Sequence, residues 1–268
     1  MKKTLTAIAA VAALTACTSG RTNMLVLYYS QEGATRKVAE EIAARTGADI
    51  EAFDVETPYS GTFDETVERC LKERSEGVTP ALNPLSSDIS GYDVIFLGYP
   101  IWFGTYAPPV AALLGELNLD GKTIVPFCTF GSGGLQSSVS DLRKALPNAD
   151  IREGYGIRVA RISKVGEEVE RFLVLGGFKE GKAEAYPDYS AQAPVTEEQA
   201  AIFEAACSGY PMPLGKPVTA GMRETPAGTD YLFEAEGNGP DGSVSRSKIY
   251  VTVPREEGGV PEFTMVVR

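Results

Sequence analysis

From residue 23 onward, short apolar runs alternate with amphipathic stretches of helical period. The apolar runs predict five strands, at 24–29, 49–53, 93–97, 123–129 and 150–157. Apolar residues at helical spacing predict the intervening helices, at 34–45, 66–74, 110–117, 135–146 and 165–175. The first run is continuously apolar, as expected for a strand buried on both faces, and Pro126 predicts a bulge in the fourth strand. This pattern predicts an α/β domain with a doubly wound, five-stranded parallel sheet.

The pattern changes after about residue 177. Residues 178–195 are polar and contain prolines, which predicts a linker. Thr196 and Gln199 then match a capping box at a helix start, and strand-like runs follow at 218–223, 231–236, 248–253 and 263–267. One helix followed by antiparallel strands predicts a smaller α+β domain over residues 196–268.

This C-terminal region resembles the cystatin-like fold. The resemblance lies in Ala227-Gly228-Thr229-Asp230-Tyr231, which is similar to a first hairpin loop and the strand after it. Glu224 and Pro226 replace the Gln and Val of the inhibitor motif. We therefore expect packing or recognition of a protein partner from this domain rather than protease inhibition.

The N-terminus has the pattern of an export signal. Lys2 and Lys3 precede an apolar run over 5–16, which is shorter than the roughly 20 residues that span a bilayer. The run ends in Leu14-Thr15-Ala16-Cys17, which resembles the lipobox of bacterial lipoproteins. The resemblance implies removal of residues 1–16, a lipid on Cys17 and a tether over 17–22, so we expect anchoring to a bacterial membrane on its periplasmic or cell-surface side. The alternative is an ordinary signal peptide with an incidental cysteine.

Composition excludes several kinds of chemistry. The net charge of −11 argues against nucleic-acid binding, which needs a basic face. The chain has no histidine, so it forms neither a Ser/His/Asp relay nor a His-ligated zinc site. The spacing of Cys70, Cys128 and Cys207 matches no metal motif, and we expect these cysteines to be buried apolar residues. Any chemistry must then come from carboxylates, Lys, Tyr, Cys or a bound cofactor.

Ligands of doubly wound sheets bind beyond the carboxyl ends of the strands, where the strand order reverses. The loop after the first predicted strand reads Ser30-Gln31-Glu32-Gly33-Ala34-Thr35. Its hydroxyl groups, a glycine that permits close backbone approach and the unpaired amides of a helix start suit a phosphate group. Ser30 and Thr35 are also compatible with simple helix capping.

The loops after the third and fourth strands contain rings and glycines. The third strand is followed by Pro100-Ile101-Trp102-Phe103-Gly104, which places the single Trp where a flat ring could stack on it. The fourth strand leads into Thr129-Phe130-Gly131-Ser132-Gly133, whose backbone amides could reach the polar edge of a ring. The alternatives are that Trp102 is a packing residue and that these glycines only form turns.

In their order and placement, the three loops resemble the FMN-binding loops of the flavodoxin family, over residues 23–177. Ser30, Gly33 and Thr35 match the family's phosphate loop, residues 99–104 its aromatic loop, and residues 129–134 its third loop. The resemblance implies the strand order 2-1-3-4-5, FMN as the cofactor, and cofactor contacts from residues 30–35, 100–104 and 129–133. Glu32 departs from the family, which usually has Thr there, and a carboxylate close to a phosphate is repulsive.

The resemblance implies electron transfer outside the cytoplasm, with a redox protein or a small quinone-like acceptor as the partner. One alternative is an FMN-dependent quinone or nitro-compound reductase, which would turn over rapidly with a nicotinamide donor. Another is a non-redox binding lipoprotein that has lost its flavin, and Glu32 keeps this alternative open.

Overall fold

The computed structural model describes residues 22–238, 243–256 and 258–268. The predicted signal peptide, Cys17 and most of the tether lie outside the described residues. Residues 24–175 alternate strands and helices in the following order: β1 (Met24–Tyr28), α1 (Ala34–Thr46), β2 (Asp49–Ala52), α2 (Phe63–Glu76), β3 (Val94–Trp102), β4 (Thr105–Tyr106), α3 (Pro108–Glu116), β5 (Thr123–Phe130), α4 (Leu135–Ala145), β6 (Asp150–Ile151), β7 (Tyr155–Arg158) and α5 (Val165–Leu175).

The central sheet is parallel and runs in the order β2-β1-β3-β5, with β6 and β7 both paired to the outer edge of β5. Counting β6 and β7 as the predicted fifth strand, this is the order 2-1-3-4-5, and the predicted fold class is confirmed. The short β4 is antiparallel to the end of β3 and forms a hairpin with it.

Both faces of this sheet are buried, because successive residues of each strand point to opposite sides. Leu25 and Leu27 of β1 belong to one apolar cluster with residues of α3 and α4, whereas Val26 and Tyr28 belong to the other with residues of α1 and α5. β3 and β5 divide their residues in the same way. The continuous apolar runs in the sequence follow from this burial on two faces.

The structure corrects two predictions about the strands. The predicted fifth strand is two short strands, β6 and β7, separated at residues 152–154. The bulge predicted at Pro126 is wrong, because β3 and β5 keep a continuous register in which Leu97 pairs with Pro126. β5 pairs with β6 before Pro126 and with β7 after it, so the proline stands opposite the break between these two strands.

The C-terminal part has its own sheet and its own core. Its elements are β8 (Ala193–Pro194), α6 (Glu197–Cys207), β9 (Lys216–Thr225), β10 (Gly228–Asn238), β11 (Val244–Pro254) and β12 (Glu262–Val267). In the described part of the chain, its five strands are antiparallel in the order β12-β11-β10-β9-β8. Phe203 of α6 packs edge-on against Phe233 of β10, and the capping box predicted at Thr196 and Gln199 is present. The α+β pattern is confirmed, whereas the cystatin-like resemblance stays a prediction.

Across the described ranges, none of the helices combines the length and the apolar content that crossing a bilayer requires.

Gly98 of β3 offers a test of the packing of the parallel sheet. A Cβ atom on Gly98 would lie 2.1 Å from Cζ of Phe127, in the apolar cluster that α1 and α5 cover. We expect Gly98→Ala to lower the free energy of unfolding by about 1–3 kcal/mol, because the ring must be displaced within a packed core. Urea denaturation measures this change.

Gly115→Ala is the matched control for this substitution. A Cβ on this exposed residue of α3 meets nothing within 4 Å, so the same methyl group should stabilise the helix by about 0.5–1 kcal/mol. Equal stabilities for the two variants would contradict the packing that we describe around Phe127.

Candidate functional site

The loop between β1 and α1 presents free backbone amides. The side-chain oxygen of Ser30 accepts hydrogen bonds from the amides of Gly33 and Arg36, at 3.1 and 3.2 Å. Gly33 has a φ of 87°, a conformation that favours glycine, and it turns the chain into α1. The amides of Ala34 and Thr35 find no acceptor among residues 22–238, 243–256 and 258–268. The helix start can therefore donate to an anion, and the Ser30 hydroxyl is oriented beside it.

The side chains of this loop point in different directions. Gln31 donates to the backbone carbonyl of Tyr59 at 3.0 Å, which ties the loop to the segment after β2. Glu32 is exposed, so its carboxylate is hydrated, and Arg36 and Lys37 are exposed in the next turn. Gln31 therefore ties the first loop to the segment after β2, whereas the charged side chains lie in solvent.

Thr35 and Thr129 join the first loop to the end of β5. Their hydroxyl oxygens lie 2.9 Å apart, and the two residues are only 1% and 2% exposed. The structure thus brings these two predicted site residues together but engages their hydroxyl groups with each other. Their backbone groups are what they can offer to a ligand, and their predicted cofactor contacts stay predictions.

The predicted aromatic loop is the end of β3 and a tight hairpin. Phe103 and Gly104 have φ values of 52° and 82°, so positive φ occurs at both central residues of the turn between Trp102 and Thr105. Trp102 packs edge-on against Tyr59 and Tyr29, with ring centroids 5.1 and 6.1 Å away. Phe103 is 50% exposed at the tip. The two rings have different surroundings, because Trp102 is held by neighbouring tyrosines whereas Phe103 faces solvent.

Helix α4 anchors the hairpin through a carboxylate. The Thr105 hydroxyl donates to Asp141 at 2.8 Å, and Lys144 donates to the other oxygen of the same carboxylate at 2.9 Å. Hydrogen bonds from Lys144 and then Thr105 hold the pKa of Asp141 below its usual value. The carboxylate therefore stays ionised and keeps the hairpin in place at neutral pH.

The groups beneath the site are kept neutral. Burial raises the pKa of the Tyr99 hydroxyl well above its usual range, and this hydroxyl donates to Ser138. Burial likewise raises the pKa of the Cys128 thiol far above its usual range. Cys128 is therefore a buried apolar residue and not a thiolate nucleophile.

The third predicted loop lies between the hairpin and the C-terminal sheet. A Cβ on Gly134, at the start of α4, would lie 2.6 Å from a methyl group of Ile101, so the second and third loops are neighbours. On its other side, the Val266 amide of β12 donates to the Ser132 carbonyl at 2.7 Å. The Arg158 side chain donates to the Gly131 carbonyl at 2.8 Å. The last strand and the end of β7 thus hold this loop in place.

The sequence analysis missed the residues that support these loops. They are Tyr59, Arg158, Asp141 and Val266. Val266 lies in an ordinary strand pattern, and Arg158 follows the fifth strand in a stretch without a recognisable motif, so neither gave a signal. Only the proximity of separate elements in the fold shows these roles.

The three loops leave space at one edge of the sheet. A Cβ built on Gly33, Gly104 or Gly131 would meet no atom within 4 Å. Free amides, a hydroxyl group, a hairpin with two aromatic rings and open glycines therefore lie at the same edge of the sheet, and this set of groups fits a ligand with a phosphate and a flat ring, such as FMN. The described residues contain no group of His, Cys, Asp and Glu side chains that could hold a metal ion.

This fold and these loops define a flavodoxin-like flavoprotein. The family model for flavodoxin matches residues 23–171, which is more than half of the chain. The chain belongs to the flavodoxin family, and this membership supports FMN as the cofactor.

Solved structures similar to this chain cover its first domain, and one of them reaches a TM-score of 0.50. A protein described as a flavoprotein from Bacteroides uniformis is 23% identical with a TM-score of 0.50, over 56% of this chain and 98% of that one. A protein with the same description from Bacteroides eggerthii is 27% identical with a TM-score of 0.48, over 56% and 99%. A flavoprotein from Lactobacillus acidophilus, solved in complex with FMN, is 24% identical with a TM-score of 0.47, over 55% and 99%. Among curated proteins, none matches the chain.

Gly133 tests the contact between the third loop and β12. A Cβ on Gly133 would lie 2.2 Å from the carbonyl oxygen of Val266, which is backbone and cannot rotate away. We expect Gly133→Ala to separate the loop from β12 at a cost of about 1–3 kcal/mol. The Val266 amide should then exchange its hydrogen at least about tenfold faster, as measured by hydrogen-exchange NMR.

Gly209→Ala serves as the control, because a Cβ on this residue of the C-terminal domain, which also contains Val266, meets nothing within 4 Å. Its Val266 amide should exchange at the wild-type rate. Unchanged exchange in Gly133→Ala would mean that β12 does not hold the loop in solution.

Proposed function

We propose that this chain binds FMN and transfers electrons outside the cytoplasm as a lipid-anchored protein. This proposal rests on the start of α1. There the amides of Ala34 and Thr35, which find no acceptor among the described residues, lie beside the Ser30 hydroxyl. The β3–β4 hairpin lies at the same edge of the sheet. Membership of the flavodoxin family supports the same cofactor.

The proposal assigns a task to each loop. Residues 30–35 would hold the phosphate through backbone amides and the Ser30 hydroxyl. Residues 100–104 would cover the isoalloxazine ring, and residues 129–133 would bind its polar edge. When bound, FMN supplies the capacity to accept and donate electrons, while the chain fixes the ring's orientation and sets its electrostatic surroundings.

Glu32 does not prevent this role. Because its side chain is exposed, solvent screens its repulsion of a phosphate at the helix start. Arg36 and Lys37, exposed in the first turn of α1, contribute opposite charge nearby. We expect the carboxylate to weaken FMN binding without abolishing it.

The proposed location follows from the N-terminal sequence. The basic start, the apolar run over 5–16 and Cys17 support export followed by attachment of lipid to Cys17. The signal lacks twin arginines, so we infer that the chain crosses the membrane unfolded and acquires FMN outside the cytoplasm. A redox protein or a small quinone-like molecule would be its partner there.

Ser30→Ala tests the phosphate site. Wild-type protein should quench the fluorescence of added FMN and bind it more tightly than riboflavin, which lacks the phosphate. Loss of the Ser30 hydroxyl should weaken FMN binding by about tenfold or more, because it removes a hydrogen bond to a charged group. Riboflavin binding should change much less, and fluorescence titration with the two flavins measures the difference.

Two further variants accompany this test. Ser75→Ala removes an exposed hydroxyl on α2 and should leave both affinities unchanged. Glu32→Gln removes the nearby negative charge and should tighten FMN binding, most clearly at low salt. If the wild-type protein binds FMN and riboflavin equally well, or binds neither, the proposed phosphate site is wrong.

A redox titration distinguishes electron transfer from reductase activity. Loss of residues 1–16 changes the net charge from −11 to −13, and such a chain disfavours negative charge on a reduced cofactor. About 1.4 kcal/mol of repulsion lowers a one-electron potential by about 59 mV, so we expect a midpoint potential below that of free FMN. A potential at or above that of free FMN would contradict a low-potential electron carrier, and rapid NAD(P)H oxidation with a quinone present would instead indicate a reductase.

A further inference from the structure

A cavity of about 740 Å³ lies between the flavodoxin domain and the C-terminal sheet. β7 and α5 line one side of it, β9 to β12 line the other, and Tyr186 and Tyr189 of the connecting segment complete the wall. Its size is typical of sites for small molecules, which often lie between domains. Its lining includes none of residues 30–35 of the proposed phosphate site, and Phe130 is the one lining residue that it shares with the proposed flavin loops.

Most of the charges inside this cavity are paired. Arg161 forms ion pairs with Glu168 and Glu262, at 2.9 and 3.1 Å, so this pair of contacts links the two domains. Arg223 of β9 pairs with Asp230 of β10 at 3.0 Å. These five groups carry two positive and three negative charges, so they leave no cation free for an anionic ligand.

Arg171 differs from Arg161 and Arg223, because an aromatic ring rather than a carboxylate lies against its guanidinium group. Its guanidinium carbon lies 3.5 Å from the centroid of the Tyr186 ring. This half-buried residue of α5 has no carboxylate partner in the part of the chain that the structure describes. A positive charge that is partly removed from water gains stability from an anion.

Arg158 adds a second cation to the same cavity. Its side chain donates to the backbone carbonyls of Gly131 and Phe263, at 2.8 and 3.4 Å, and it too lacks a carboxylate partner within the described ranges. At the exposed rim lie the cations Lys164 and Arg255 and the carboxylates Glu167 and Glu256, and Arg255 pairs with Glu224 at 3.7 Å. Six cations and five carboxylates line the cavity, and Arg158 and Arg171 are the half-buried cations among them that form no ion pair within the described residues.

The remaining walls are aromatic and apolar. The cavity is lined by the rings of Phe130, Tyr155, Phe172, Tyr189 and Tyr250 and by the thioether of Met265. Such surfaces bind flat rings through their faces and edges. Cations that lack a carboxylate partner, together with aromatic walls, select a ligand that has both a ring and a negative charge.

We propose that this inter-domain cavity is a second ligand site, which binds a planar aromatic molecule carrying one carboxylate or sulfonate group. Arg171 binds the anionic group, and the aromatic side chains contact the ring. The site does not require a bound flavin, so it is testable whether or not the proposed function is right.

Calorimetric titration with two probes of the same ring system tests this site. Naphthalene-2-sulfonate carries the charge, whereas naphthalene-2-sulfonamide is neutral and similar in shape. With full-length protein and saturating FMN present to fill the flavin site, we expect one sulfonate molecule to bind per chain, about tenfold or more tightly than the sulfonamide. Arg171→Gln should weaken sulfonate binding by about tenfold or more and leave sulfonamide binding unchanged.

Two matched variants complete the experiment. Arg74→Gln removes an equal charge from the exposed last turn of α2 and should bind the sulfonate as wild type does. Arg171→Lys keeps the charge and should retain more affinity than Arg171→Gln, which separates loss of the cation from loss of packing on Tyr186. Equal affinity for the two probes, or wild-type sulfonate binding by Arg171→Gln, would overturn the proposal. If FMN does not bind, the same titration without it still decides this proposal, while the proposed function fails.

Discussion

The burial of both faces of the parallel sheet is the constraint on which the site depends. Neighbouring residues of β1, β3 and β5 enter separate apolar clusters, so neither face of these strands can be left in water. Helices must cover both faces, and polar loops can form only at the strand ends. The loops after β1, β3 and β5 consequently meet at one edge, where the hydroxyl groups of Thr35 and Thr129 are in contact.

Much of this fold was predictable because periodicity follows directly from burial. The run at 24–28 is apolar without interruption, the run at 123–130 is apolar except for Thr123 and Thr129, and the structure buries both runs on both faces. The end of β3 was not predictable in the same way. The segment after residue 97 contains Pro100 and two aromatic residues, a composition that predicts a loop. The strand nevertheless continues to Trp102, because it pairs with β5 and then turns at Phe103 and Gly104. Long-range pairing determined this boundary, and local sequence does not encode it.

The candidate site was predictable only in part, and the missing part is the support around it. The loops at 30–35, 100–104 and 129–133 were identified from glycines, hydroxyl groups and rings that lie at strand ends. Their supporting contacts come from residues distant in sequence, such as Tyr59 beside Trp102 and Asp141 beneath Thr105. A single sequence gives no indication of such pairs, because each residue alone fits an ordinary surface or core position.

The hydrogen bond between Ser132 and Val266 has a consequence for the order of assembly. The ribosome makes the third loop long before the strand that holds it, because α4, α5, α6 and the six strands β6 to β11 lie between the two in the chain. Closing so large a loop costs chain entropy that early local contacts do not recover. Until β12 is made, the third loop of the newly made first domain lacks its contact with Val266 and is held by Arg158 of its own domain.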